Sequence, residues 1–268
     1  MADFIGKDLH EPRFERLTLT RPTFELAELP GARFRACEIT DAEIRSSGIR
    51  RVVMAGVELQ DVEITGELLH VTINGVDVGP LVEAELDRRE PDRVRMRPTD
   101  AEGFREAWAL LERLWAGTVE RAAGLDPVLL HESVDGEWSF IETLRHLSFV
   151  TDAWFRRAIQ GDPSPWDPLD LPWDDAPADL EIPRDRTARP TFETALALRQ
   201  SRFAAVRDYL AALTDELLAS DTAAVPGNSW PPPRSFPVRE CLLVLLNEEW
   251  LHRKFAERDL AVLESRAA

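Results

Sequence analysis

The chain has 268 residues, 44% of them hydrophobic, enough to bury one large core or two ordinary ones. Its 49 acidic against 32 basic residues leave a net charge of -17, which excludes a general nucleic-acid or anionic-membrane binder, since either needs a basic surface. Two cysteines, Cys37 and Cys241, exclude a disulfide scaffold. With no apolar leader in MADFIGKDLHEPRFERL and no apolar run of spanning length, the expectation is a soluble, cytoplasmic protein.

From residue 14 to residue 69 the chain repeats with period five. Large apolar residues fill twelve consecutive slots: Phe14, Leu19, Phe24, Leu29, Phe34, Ile39, Ile44, Ile49, Met54, Leu59, Ile64 and Leu69. From Leu29 onward the residue two places earlier is mostly small, as at Ala27, Ala32, Cys37, Ala42 and Ser47. The first units carry Pro12, Leu17 and Pro22 there, so an irregular first coil is expected. Neither a helix nor a strand has this period, and a strict short repeat argues for a stacked solenoid. The rhythm resembles the pentapeptide-repeat family. That resemblance implies a right-handed, four-sided β-helix over residues 10–75, with Cys37 as a packing residue.

Residues 76–97 read as a cap and linker, with turn signals at Asn74-Gly75 and Gly79-Pro80 and a short helix over Leu81 to Arg89. Residues 98–265 read as a four-helix bundle, so the fold class is α+β. The first long helix is expected from a Thr99/Glu102 capping box, with a stripe through Phe104, Trp108, Leu111 and Trp115. The second starts at Ser139, with Glu142 three places on, and carries Phe140, Leu144, Leu147, Thr151, Trp154 and Ala158. Residues 161–190 follow, with seven prolines, eight acids and two tryptophans: a crossover strap, a lid, or both. The third helix begins near Thr191 and runs its stripe to Leu217; residues 221–237 form a second extended connection. The fourth covers Val238 to Glu264.

On that last helix the apolar stripe through Cys241, Val244, Leu245, Phe255, Val262 and Leu263 passes through Glu248 and His252. These lie one turn apart on one face, so a carboxylate oxygen and an imidazole nitrogen can reach one ion. His146, beside the stripe of the second helix, is the candidate third ligand. The plainer alternative is a buried Glu–His hydrogen bond without a metal. Glu249, rotated by about 100°, is expected in solvent. Asp259 reads as the partner of a nearby arginine or, less simply, as an orienter of a ligand. Trp138, Trp154, Trp250 and Cys241 read as packing residues.

GEWSFIETLRHL followed about a hundred residues later by NEEWLHRKFAERDL resembles the DinB-like superfamily of metal-binding four-helix bundles. It is similar above all to the mycothiol-dependent maleylpyruvate isomerase branch, in which a histidine of helix two joins an E-x-x-x-H pair on the last helix. The resemblance implies His146, Glu248 and His252 as ligands of a divalent metal, zinc first, with nickel or another divalent ion as alternatives. It also implies a thiol transferase or isomerase that presents a metal-bound thiolate to a small electrophile. Other members carry histidine where this chain has Glu248. A pentapeptide solenoid joined to such a bundle resembles an actinobacterial arrangement, in which mycothiol or another small thiol would be the cofactor. The expected partners are a small thiol and an electrophile, with no nucleic acid, no membrane and a possible homodimer. The competing expectation is a non-catalytic scaffold that docks through the solenoid, its metal structural or absent.

Overall fold

The computed structural model describes residues 4, 6–16, 18–24, 27–44, 47–66 and 68–267. The chain divides into two compact units, residues 1–65 and 66–268.

In the first unit the period of five survives, but the solenoid does not. Positive backbone φ recurs every fifth residue, at Glu11, Arg16, Arg21, Gly31, Ala36, Asp41, Arg51, Gly56 and Asp61. From Arg16 onward each lies two places after an apolar slot, so the repeat marks where the chain bends. No strand forms there among the described residues. Phe34, Ile39, Ile44 and Ile49 are 69%, 66%, 68% and 64% exposed, the reverse of what a β-helix core requires. Cys37 is likewise exposed, not packed. The expected quadrilateral β-helix is therefore corrected: a five-residue repeat specifies local bends, whereas burial of its apolar row depends on coils stacking, which these coils do not do. Leu17, expected in an irregular first coil, lies outside the described residues.

The second unit opens with a hairpin, β1 (Thr72–Ile73) and β2 (Val76–Asp77), closed by Asn74 and Gly75. Both turn residues have positive φ, the backbone that Asn-Gly tolerates and a tight hairpin needs. Helix α1 (Gly79–Arg89) follows, with Pro80 in its first turn where no amide donor is missed. A 3₁₀ turn, Pro91–Met96, leads into the bundle. Lys254 of the last helix pairs with Glu90, and Arg239 donates to the Pro98 carbonyl.

The bundle comprises α2 (Ala101–Ala123), α3 (Phe140–Thr151), α4 (Phe192–Ala211) and α6 (Val238–Ala267), with the short α5 (Asp215–Leu218) between the last two. The N-cap of α2 is Asp100, which accepts from the Gly103 amide, one residue later than the Thr99 box expected. Ser139 and Glu142 do form a reciprocal capping box on α3, and Thr191 caps α4. Helix α4 ends at Ala211; Thr214 then caps α5, so Leu213 and Leu217 lie beyond the helix whose stripe they seemed to extend. Helix α3 continues as a π segment, Asp152–Ile159, in which Asp152, Ala153, Phe155, Arg157 and Ala158 are all buried. That widens the inward face beyond the Thr151, Trp154 and Ala158 of an α-helical stripe.

Ring contacts set the helix directions. Phe140 meets Phe192 (6.1 Å between centroids) and Phe155 meets Tyr209 (5.3 Å), so α3 and α4 run parallel. Ala158 packs with Cys241 at one end while His146 meets His252 (4.8 Å) nearer the other, so α3 and α6 run antiparallel. Two successive parallel helices cannot be joined by a tight turn. The connection must travel back along the 20 residues of α4, about 30 Å. Residues 161–190 are that crossover. Arg145, fully buried on α3, ties them down by donating to the carbonyls of Leu169 (2.7 Å), Asp185 (2.5 Å) and Ala188 (3.3 Å). The core beneath is built by Phe104, Trp108, Leu111, Leu144, Leu147, Val206, Leu242, Leu245, Leu246 and Leu260.

Candidate metal centre

His146 lies on α3 two turns after its capping box, 7% exposed. Its Nδ1 sits 2.9 Å from the Leu171 carbonyl oxygen on the strap. A carbonyl only accepts, so Nδ1 carries the hydrogen and donates. In the neutral ring Nε2 is then a bare lone pair. It faces Glu248 Oε2 on α6 at 3.6 Å. One turn on, His252 Nε2 stands 3.1 Å from the same oxygen. One ligand atom from each residue lies within 4.8 Å of the others, and among the described residues this is the one group of three or more so placed.

Two acceptors facing each other in a half-buried seam repel unless a cation lies between them. A proton could serve, but burial, the largest influence, pushes the His146 imidazole toward its neutral form. Glu248 shows the counterpart. Burial raises its carboxyl, but the pull of the neighbouring His146 and then His252 imidazoles outweighs this and holds it down at about 2. The site is thus a neutral imidazole beside an ionised carboxylate, the protonation states that ligands must have. The spacing fits as well: donors about 2.1 Å from a tetrahedral zinc stand about 3.4 Å from each other, between the two observed separations. Glu248 is 31% and His252 17% exposed at the side chain, so the group opens to solvent on one side.

Trp138, read from sequence as packing, is a wall of this site. Its ring lies 4.4 Å from that of His146 and, nearly parallel at 5°, 5.8 Å from that of His252. Its indole donates to Asp174 (3.2 Å), which pairs with Arg186 (2.7 Å), so the wall is braced from the strap. The only sequence hint was its position just before the Ser139 cap of the helix that carries His146.

Glu249 overturns its expectation. It is 1% exposed and ion-paired with Arg199 of α4, itself 4% exposed. The Arg199 guanidinium also lies over Phe203 (4.3 Å) and Trp115 (5.2 Å). The buried stripe of α6 in fact runs through Leu242, Leu245, Leu246, Glu249, Ala256, Leu260 and Leu263, while Phe255 is 41% exposed. The stripe is rotated by one residue from the expected one, so Glu248 and His252 border the core and do not sit at its centre. Asp259 pairs with Arg258 (2.7 Å), as the simpler reading had it. Trp154 and Trp250 pack into the core. Cys241 is wholly buried, its thiol pushed up to about 12 chiefly by burial, which makes it an inert packing residue. An open cleft of about 330 Å³ lined by Leu114, Trp250, Arg253 and Lys254 includes none of the three site residues.

A four-helix bundle with a His/Glu/His group at the seam of two antiparallel helices is the class that fold and site define. A family model of the DinB superfamily matches residues 110–256, more than half of the chain, and the chain belongs to that superfamily. No curated protein and no solved structure matches it significantly. Among the described residues no helix is long and apolar enough to cross a membrane.

Proposed function

We propose that the bundle holds one divalent metal ion, zinc foremost, on His146 Nε2, a Glu248 oxygen and His252 Nε2, and that it serves a thiol-dependent transferase or isomerase reaction on a small electrophile. The observation that carries the metal is His146 Nε2 facing the Glu248 carboxylate at 3.6 Å while Nδ1 is committed to the Leu171 carbonyl, an arrangement that in the neutral ring calls for a cation between them. Members of the superfamily commonly hold a divalent metal. A bound ion would supply Lewis acidity at a coordination position that the protein leaves open, lowering the pKa of a thiol or water there.

The chain's own residues prepare that position. Leu171 fixes the His146 ring and its tautomer through Nδ1, the kind of outer contact that sets ligand direction. Glu248 brings one negative charge and leaves a net positive centre, suited to an anionic sulfur. Trp138 shields both imidazoles on one side. The partial exposure of Glu248 and His252 favours an open, reactive site over a sealed structural one. Cys241 is sealed in the core, so the bundle offers no reactive thiol of its own, and the thiol comes from solution as mycothiol or another small thiol.

Elemental analysis after reconstitution, followed by thiol titration of the cobalt-substituted protein, tests this reading. One ion per chain and a sulfur-to-cobalt charge-transfer band on thiol addition are expected. A metal content that is unchanged in His252→Ala places the ion elsewhere. A cobalt spectrum indifferent to thiols removes the transferase reading and leaves the metal.

A further inference from the structure

The strap holds a second pair of titratable groups. Asp152, in the π segment after α3, and Asp170, in the strap, are both wholly buried. Asp152 is well supplied with donors: Arg202 of α4 gives it bonds of 2.9, 3.1 and 3.3 Å, and Arg156 one of 3.3 Å. Asp170 is not. Its Oδ2 accepts from the Asp167 amide (3.0 Å), and its Oδ1 is buried with no donor. The two carboxyls interact directly, in the sense that favours ionised Asp152 and neutral Asp170.

A buried carboxylate oxygen without a donor costs several kcal/mol, whereas a protonated one becomes a donor itself. Beside Asp152 it then has an acceptor. Burial raises both groups, but Asp152 faces the guanidiniums of Arg202 and Arg156, which favour its anion, whereas no guanidinium bonds Asp170. Burial first and the Asp152 charge second push Asp170 up to about 8. Of the other acids near this cluster, Asp162 faces Arg156 (3.0 Å), and the Asp167 carboxylate accepts from the Leu169 amide (2.9 Å). Immediately after Asp170, the Leu171 amide donates to the Arg145 carbonyl (3.4 Å), and the Leu171 carbonyl accepts from His146. The residue that orients the candidate ligand is thus chained to the buried acid.

We propose that Asp170 is a proton-operated clamp: while neutral it bonds Asp152 and seats the strap, and when it ionises the strap lifts and releases the Leu171 carbonyl from His146. The clamp stands on the buried pair alone. Its consequence for the metal rests on the reading of His146 as a ligand. No residue of the triad titrates in this step; the proton leaves Asp170 for solvent. The site would then lose affinity on the alkaline side, through a group outside it.

The experiment compares the full-length wild type with Asp170→Asn, which keeps a donor but cannot ionise, by hydrogen exchange of the strap and by zinc competition against a chromogenic chelator, at pH about 7 and about 9.5. After correction for intrinsic exchange, wild-type strap protection should fall at least tenfold over this interval while that of Asp170→Asn stays level. Zinc affinity of the wild type should fall about tenfold or more relative to the variant, the range expected for loss of an outer contact. Parallel loss of strap protection in both proteins overturns the clamp. A clamp seen in exchange with equal zinc affinities overturns the link to the site. Zinc bound by neither protein at either pH sinks the metal reading, while exchange still decides the clamp. Should Asp170→Asn misfold, infrared titration of Glu249→Gln, which removes the other buried acid raised to about 7, decides. The carbonyl band of a buried neutral carboxylic acid should vanish as pH rises through about 8, and its absence at neutral pH overturns the proposal.

Discussion

Which nitrogen of His146 carries the proton decides what the seam can do. Nδ1 is committed to Leu171, so Nε2 confronts Glu248 with no hydrogen of its own. This makes Glu248→Gln informative. Its amide could donate to Nε2, so the metal-free variant should be at least as stable as the wild type. Loss of the ligand charge should weaken zinc binding tenfold or more. Thermal unfolding in chelator and zinc competition measure the two, and a destabilised variant would mean that Nε2 already had a proton. His252→Ala should abolish stoichiometric metal, because two ligands remain where three converge. The E-x-x-x-H spacing and the helix-two histidine were legible as residue types. The tautomer was not, because it depends on a carbonyl contributed 25 residues away by the strap.

At the scale of elements, the N-caps and the α6 stripe were readable to within about a residue, and that residue mattered, while the α4 stripe was carried six residues too far. Helix α6 offers leucines on both flanks of its stripe, at Leu242, Leu243, Leu245 and Leu246, so its rotation is not determined by pattern alone. The partner is: Arg199 takes Glu249 into the core, and that turns Glu248 and His252 toward α3. Arg199→Met should therefore cost about 3–5 kcal/mol by leaving a buried carboxylate unpaired, while Arg199→Met with Glu249→Leu should come out near neutral. Chemical denaturation of both variants checks this, and equal losses would show that the pair adds nothing beyond its packing. Ser139→Ala removes the cap bond to Glu142 and should cost about 1 kcal/mol, read in the same way.

For the molecule as a whole, stability of the metal-free form should depend on pH in an unusual sense. Asp170 and Glu249 are raised by burial to about 8 and about 7. Unfolded, they titrate near 4. Between those limits the folded chain retains protons that the unfolded chain has released, so stability falls as pH rises from about 4 to about 8 and then levels. Glu248, held at about 2, acts oppositely: its contribution is present above about 4 and is lost as pH falls toward 2. The buried His146, lowered in the folded state, opposes the fall with rising pH below about pH 6.5, so denaturant titrations in chelator should show the fall most plainly between about pH 6.5 and 8. A maximum at pH 8 would mean that Asp170 and Glu249 are ionised in the folded state.

By itself the sequence determined what short-range chemistry determines. Ser139 and Glu142 make a capping box wherever they meet, Asn74-Gly75 makes a tight turn, and Glu248 and His252 share a helix face. The proline-rich run between α3 and α4 could only be an extended connection. The same short range limits what a repeat can say. Among the described residues the five-residue rhythm does set a recurring bend, but burial of Phe34 or Ile39 requires another coil against it, and both are exposed. Tertiary structure alone decided that Glu249 rather than Glu248 enters the core, that Trp138 walls the site, and that Leu171 orients His146. Each of these depends on groups from separate elements meeting in a low-dielectric interior, where an unpaired charge or lone pair costs far more than any local propensity contributes.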